Sequence, residues 1–192
     1  MVGPRIEYVD QVLPEVYPIY AATFEASLPE GGAELLQLFS KSYLKLNTAL
    51  AERAPWTLAH QDYRVENMLF GNAENDEVTV IDWQGIGRGP GVYDLAYLLG
   101  GSMETELRRE NEKDLVVAYH TELCSNGVEG YSLDSLWADY GFAHLIGGLA
   151  TSVFAGGTLD LNNERGKELI TMMSERHVTA ALDHGGTGQI PN

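Results

Sequence analysis

The spacing of apolar residues changes in the middle of the chain, and this change constrains the fold more than any other feature. Over most of the sequence, apolar residues recur every three or four positions, as in amphipathic helices. Between residues 57 and 82, three short apolar or β-branched runs replace that pattern: TLAH, MLF and VTVID. The polar stretch GNAEND separates the last two runs, which is typical of a hairpin connection. The sequence therefore predicts an α+β chain, mostly α, with a small β hairpin at its centre.

Helical segments are predicted on both sides of this β element. Before it, we expect a helix over 11–27 that is interrupted near Pro14 and Pro18, and one helix over 33–54 that ends before Pro55. The stretch GIGRGPG at 85–91 is predicted to be a loop. Helical spacing then returns over four segments: 92–101, 104–126, 133–156 and 162–184.

These segments fit one folding unit over residues 1–192. We divide it into a helical lead-in (1–55), a part that carries the polar loops (56–91), a helical subdomain (92–183) and a frayed tail (184–192). Because most polar residues of the central part fall just outside short apolar runs, we expect them on loops held by the helical scaffold.

Composition excludes several classes of function. The 192 residues include 12 Lys and Arg against 28 Asp and Glu, for a net charge of −16, which disfavours binding to nucleic acid or to an anionic membrane surface. No signal peptide or membrane-spanning run is recognisable. Cys124 is the only cysteine, and we expect it to be buried. We therefore predict a cytoplasmic protein without disulfides.

The polar residues of the central part form an ordered constellation. The stretch HQDYRVENMLFG at 60–71 places Asp62 five residues before Asn67, and Asp82 follows the third apolar run. A hairpin between Asn67 and Asp82 would bring the second acid back beside the first. A carboxylate can accept the proton of an attacking hydroxyl, and carboxylate and amide oxygens suit Mg²⁺, which neutralises charge on phosphates. The pattern therefore indicates phosphoryl transfer.

The same residues resemble a known group of kinases. Protein kinases have this Asp-to-Asn spacing and a later metal-binding Asp. HQDYRVENMLFG followed by VTVIDWQGIGRGPGVYDLAYLLGGS is similar to the aminoglycoside phosphotransferase and choline kinase-like group, and most of all to its ecdysteroid-kinase-like members. The resemblance implies a protein-kinase-like C-lobe whose small β hairpin carries the catalytic and metal-binding loops, together with ATP and Mg²⁺ as cofactors and a small-molecule alcohol as substrate.

Roles for individual residues follow from this resemblance. It implies that Asp62 is the catalytic base and that Asn67 and Asp82 bind the metal. It also implies that His60 shapes the loop and that Asp94 accepts backbone N–H groups of the loop. Arg64 and Gln84 are candidates for contact with substrate or phosphate, although Arg64 could equally pair with an acid. The acceptor pocket is expected among the helices of residues 92–182.

The chain departs from the family pattern in two ways. Gln61 stands where the family has a glycine, so this position could require an unusual backbone angle. The segment before His60 reads as helices and shows neither a glycine-rich phosphate loop nor a strand lysine. We therefore expect a lobe without its N-terminal nucleotide lobe, which could be incomplete or inactive by itself.

Two alternatives remain beside a kinase lobe. One is a non-catalytic module for binding or partner docking, whose apolar face around the β element would favour a homodimer or a separately encoded N-lobe. The other is a metal-dependent phosphohydrolase with His60, Asp62 and Asp82 as ligands. Three further histidines, His120, His144 and His177, lie far apart in sequence on predicted helices, and we interpret them as structural.

Overall fold

A computed structural model describes residues 3–72, 74–160 and 162–190. Eight α-helices and four short strands are described, and their order is as follows: α1 Pro4–Phe24, α2 Gly32–Phe39, α3 Tyr43–Arg53, β1 Trp56–Ala59, β2 Met68–Asn72, β3 Asn75–Val80, β4 Gly87–Pro90, α4 Val92–Ser102, α5 Thr105–Ser125, α6 Leu133–Ala143, α7 Gly147–Thr158 and α8 Glu164–Asp183. The prediction of a mostly helical chain with a small antiparallel hairpin is confirmed. Among the described helices, none combines the length and the apolar character needed to cross a membrane.

The strands form two separate antiparallel pairs. β2 and β3 form the predicted hairpin, with Met68 opposite Val80 and Phe70 opposite Val78. Ala73, in the connection between them, lies outside the described residues. β1 pairs with β4, with Trp56 opposite Pro90 and Ala59 opposite Gly87. The prediction of a simple loop over 85–91 was therefore wrong, because part of that glycine-rich stretch completes a sheet with a strand some 30 residues earlier.

Helix α1 is continuous through both prolines, so the predicted interruption near Pro14 and Pro18 is absent. An interior proline removes one backbone hydrogen bond and costs about 3 kcal/mol. The buried stripe of α1 outweighs this cost by packing on α7, where Gly156 and Gly157 let the two helices approach closely. A β-carbon added at Gly157 would lie 2.2 Å from Val16.

Two segments predicted as single helices are each divided in two. The segment 33–54 breaks at 40–42 between α2 and α3, and 133–156 breaks at 144–146 between α6 and α7. Neither break contains glycine or proline, so helical spacing alone gives no signal for it. In the described part of the tail, Gly186–Gln189 forms a 3-10 turn and Gly186 is buried, and the expected fraying of 184–192 stays a prediction.

The core lies among the helices and leaves the hairpin at the edge. Buried apolar side chains come from every α-helix, and they include Leu13, Tyr20, Leu46, Val116 and Leu149. Cys124, expected to be buried, is exposed on α5. The helical body thus supplies a rigid support for the loops that leave the two strand pairs.

Candidate active site

The loop between β1 and β2 is held by the first turn of α4. Asp94 accepts the backbone N–H of His60 at 2.6 Å and that of Gln61 at 2.9 Å, which is the contact that the resemblance implies. Burial raises the pKa of the Asp94 carboxyl, and the two N–H groups and His60 act in the opposite direction. Because the Asp94 side chain binds backbone N–H groups of the loop, it fixes the start of the loop independently of the side chains at positions 60 and 61.

His60 joins this loop to the strand that precedes Asp82. The side chain is buried, and Nε2 lies 2.8 Å from the carbonyl oxygen of Ile81. Because a carbonyl can only accept, Nε2 carries the proton and Nδ1 accepts the N–H of Asp62 at 3.3 Å. Both ring nitrogens are thus used inside the protein, and His60 acts as a structural residue here.

Two residues of the loops adopt left-handed backbone angles. Gln61 has a φ of 70° and Asp82 a φ of 62°, and both carry a β-carbon. Such angles cost roughly 1–2 kcal/mol for L-residues. Strain of this size is typical of functional sites that the surrounding fold over-determines. At position 61, where the family has glycine, the structure shows the backbone angle that glycine favours.

Three neighbours surround the carboxylate of Asp62. Asn67 Nδ2 donates to Oδ2 at 3.0 Å, and the Tyr97 hydroxyl lies 3.1 Å from Oδ1. Arg64 Nε lies 3.4 Å from Oδ1, an ion-pair distance without hydrogen-bond geometry. About a third of the Asp62 side chain stays exposed. The group is therefore oriented and partly neutralised, yet reachable by a substrate.

Asn67 offers an oxygen atom beside this carboxylate, and Asp82 offers its carboxylate close to the same loop. Asn67 is buried, and its amide N–H₂ donates to both the backbone oxygen and Oδ2 of Asp62, which leaves Oδ1 for a cation. The backbone oxygen of Asn67 accepts the N–H of Ile81 at 2.9 Å, so the next residue, Asp82, stands close to the loop. Asp82 is exposed. These residues fit the hard oxygen ligands that Mg²⁺ requires.

Tyr97 is the site residue that sequence reasoning missed. Its hydroxyl lies 3.1 Å from both Asp62 and Thr151. A hydroxyl has one proton, so Tyr97 donates to the carboxylate and accepts from Thr151. Burial first, and then Asp62, raise the pKa of Tyr97, which keeps the phenol protonated. The sequence contained a signal for Tyr97, because Tyr97 lies three residues after Asp94 and therefore on the same face of the predicted helix.

Arg64 and Gln84, the candidates for contact with substrate or phosphate, lie at the edge of the site. Arg64 is partly buried beside Asp62. Gln84 is exposed, and its Nε2 lies 3.4 Å from Asp82 Oδ2. Both side chains are close enough to the proposed catalytic groups to meet a ligand, but each has a partner within the chain.

A cavity of about 580 Å³ adjoins the loop. Gln61 and Thr151 line it. Gln61 directly precedes Asp62 in sequence, and Thr151 contacts the Tyr97 hydroxyl, which in turn contacts Asp62. Its other walls are largely apolar or aromatic and include Tyr43 and Phe154. Among the described residues that line it, Arg5 alone carries a charge. The cavity is lined by residues of 92–182 together with Gln61 and residues of α1 and α3, and the expectation of an acceptor pocket among residues 92–182 stays a prediction.

Comparison with known proteins gives one family. The model of the ecdysteroid kinase-like family matches residues 6–127, which contain Asp62, Asn67, Asp82 and Asp94. Comparisons with curated proteins and with solved structures gave no match. The matched segment is well over half of the chain, and the chain therefore belongs to the ecdysteroid kinase-like family.

Proposed function

We propose that this chain is the lobe of an ATP-dependent phosphotransferase that acts on a hydroxyl group of a small molecule. The observation that carries the proposal is the partly exposed Asp62 carboxylate, which Asn67 and Tyr97 orient and which follows Gln61, a wall residue of a cavity of about 580 Å³. Family membership supports a kinase-like fold. This proposal also includes the wider grouping with aminoglycoside phosphotransferases, the C-lobe assignment and a cytoplasmic location.

Each site residue has a distinct task in the proposed reaction. Asp62 accepts the proton of the acceptor hydroxyl, and Tyr97 and Asn67 keep its carboxylate in one orientation. Asn67 Oδ1 and the Asp82 carboxylate would hold Mg²⁺, which when bound neutralises charge on the nucleotide phosphates. Arg64 balances part of the charge on Asp62 and can turn towards a phosphate.

The cavity favours a largely apolar alcohol as acceptor. Burial of apolar surface provides most of the affinity in a pocket with such walls. The acids that could attract a cationic substrate lie elsewhere: Glu104 pairs with Arg176, and Asp139 pairs with Arg53. A positively charged acceptor therefore has no counter-charge among the described lining residues.

Titration of Mg·ATP into the purified chain tests the proposal. We expect saturable binding that EDTA abolishes and that Asp82→Ala weakens at least tenfold. Asp76→Ala is the matched control, because Asp76 is an exposed acid on β3 and its loss changes the net charge equally. Equal affinity of the wild type and Asp82→Ala would contradict the metal assignment. A screen of apolar alcohols with the wild type and Asp62→Asn then tests the transfer itself.

One observation favours a docking function as a second candidate. Apolar side chains on and around the hairpin are largely exposed: Leu69 is 56%, Phe70 62%, Val78 51% and Trp83 46% accessible. Exposed apolar patches on this scale are typical of interaction surfaces. We propose that a second copy of the chain or a separate nucleotide lobe covers this face. Light scattering after size-exclusion chromatography tests the homodimer, and Phe70→Glu should make a dimer monomeric.

The phosphohydrolase alternative has less support. It needs His60 as a metal ligand, but both ring nitrogens of His60 are bonded within the protein. A metal would have to displace the Ile81 carbonyl that joins the loop to the strand before Asp82. We therefore keep phosphoryl transfer to an alcohol as the proposed reaction.

A further inference from the structure

Three polar residues from separate helices meet in the helical body, outside the candidate active site. They are Glu112 on α5, His144 just after α6 and His184 just after α8. One ligand atom from each lies within 4.8 Å of the others. Glu112 and His144 are 8% and 3% exposed, and the His184 side chain is 10% exposed. The chain therefore encloses three groups that can each bind a metal ion.

His144 is the residue whose position needs an explanation. Within the described part of the chain, both of its ring nitrogens are buried and lack a hydrogen-bond partner. A buried polar group without a partner destabilises the folded state unless a ligand satisfies it. The ring of His184 lies nearly parallel to it, with 5.2 Å between centroids. Burial lowers the pKa of His144 far below its usual range, so the ring is neutral and a nitrogen lone pair is available.

We propose that Glu112, His144 and His184 form a binding site for a divalent transition-metal ion, with zinc as the first candidate. Two imidazoles and one carboxylate make a known zinc donor set, and imidazole selects zinc over magnesium. Ligand atoms around tetrahedral zinc lie about 3.3 Å apart, because each bond is about 2.0–2.1 Å long. To close the site, the three ligand atoms would move together from within 4.8 Å of one another, and one of the two nearly parallel rings would turn so that both nitrogen lone pairs point at the ion.

The surroundings of Glu112 prepare it for this role. The Tyr140 hydroxyl donates to Oε2 at 3.0 Å, and Arg108 donates to the same oxygen, which leaves Oε1 for the metal. Such contacts from outside the ligand set orient ligating carboxylates in many metal sites. His184 Nε2 is 3.3 Å from Oε2, and on metal binding Nε2 would give up this contact, and any proton it carries, and bind the ion instead.

The local charges permit a cation. Arg108 opposes one, but Arg108 and its neighbour Arg109 are paired with three carboxylates, those of Glu112, Asp183 and Glu106. His144 and His184 are the C-cap residues of α6 and α8, where the helix ends carry partial negative charge. Both helix ends therefore favour a cation between the two rings.

The test uses the full chain stripped of metal with a chelator and then dialysed. The background is Cys124→Ser, because exposed Cys124 lies 3.9 Å from His120 and that pair could bind zinc by itself. Excess Mg²⁺ is present, so that zinc does not occupy Asp62 and Asp82. Zinc affinity is measured by competition with a chromogenic chelator, and Co²⁺ binding by its visible absorption spectrum.

We expect one zinc per chain, a tetrahedral Co²⁺ spectrum and a higher melting temperature with metal. His184→Gln should weaken zinc binding at least tenfold, and Glu112→Gln should do the same. His177→Gln is the matched control, since His177 is a buried histidine outside the ligand set. Absence of stoichiometric binding, or equal affinity in the wild type and His184→Gln, would overturn the proposal. His184 is less buried than His144, so this variant should fold; circular dichroism checks that it does.

Discussion

His177 should make the stability of the protein fall in mildly acidic solution. This histidine lies on α8 and is 2% exposed, with its ring 5.3 Å from the ring of Tyr97. Burial, and to a smaller extent the positive charge of Arg176, lowers the pKa of His177 to about 4. The unfolded chain takes up the proton near the ordinary value of 6.5. Acid therefore favours the unfolded state, which binds the proton more readily.

The size of the effect follows from this shift. The contribution of neutral His177 to stability is fully present above pH 6.5 and is lost as the pH falls towards 4. One pKa unit corresponds to about 1.4 kcal/mol, so the full loss is about 3 kcal/mol. Between about pH 7.5 and 5, the expected loss is roughly 2 kcal/mol. A loss of this size is a large share of the roughly 5–15 kcal/mol by which a typical domain is stable.

Urea unfolding of the wild type and His177→Met at both pH values measures this loss. Methionine has no titrating group and fits a buried site of similar size. EDTA in all samples prevents metal binding elsewhere. The difference in unfolding free energy between the two proteins should shift by about 2 kcal/mol between the two pH values. A difference that stays constant within about 0.5 kcal/mol would refute the reasoning. His120→Met is the control, because His120 lies on α5 and is partly exposed. It shows how the change from histidine to methionine alters the unfolding free energy by itself.

Three further substitutions test the packing around the site. Tyr97→Phe removes the hydrogen bond to Asp62 and should cost about 1 kcal/mol in urea unfolding, and the phosphotransfer rate should fall while nucleotide affinity stays constant. Gly148→Ala places a β-carbon 2.1 Å from His177 and should cost about 1–3 kcal/mol, visible as a lower melting temperature. Gln61→Gly relieves the left-handed angle and should add up to about 1 kcal/mol of stability; a loss would show that the glutamine side chain contributes more than the strain costs.

The hairpin was predictable because its signals are local. Four successive β-branched residues begin VTVID, and a polar stretch typical of a turn precedes them. The types and order of Asp62, Asn67 and Asp82 also predicted which residues could surround a phosphate, and this assignment stays a prediction. Most helices could be located in the same way, from apolar spacing alone.

The two helix breaks and the second strand pair depend on contacts distant in sequence. The turn between α6 and α7, at His144 to Ile146, lies wholly in the buried core, and a long apolar segment reads as one helix whether or not it bends there. β4 is glycine-rich, and it becomes a strand because β1 supplies the partner. The strand pair has no signature within a window of ten or so residues, because its two strands are some 30 residues apart.

The least predictable part of the site is the geometry around Asp62. Sequence spacing placed Asp62, Asn67 and Asp82 in one region, but the orientation of the carboxylate depends on Tyr97 and Thr151, which lie 35 and 89 residues further along the chain. Gln61 adopts a left-handed angle beside it because Asp94 fixes two successive backbone N–H groups. Strain at position 61 is therefore offset by hydrogen bonds from α4. Strain that is retained next to a partly exposed carboxylate supports the proposal that this carboxylate is held in place for a ligand.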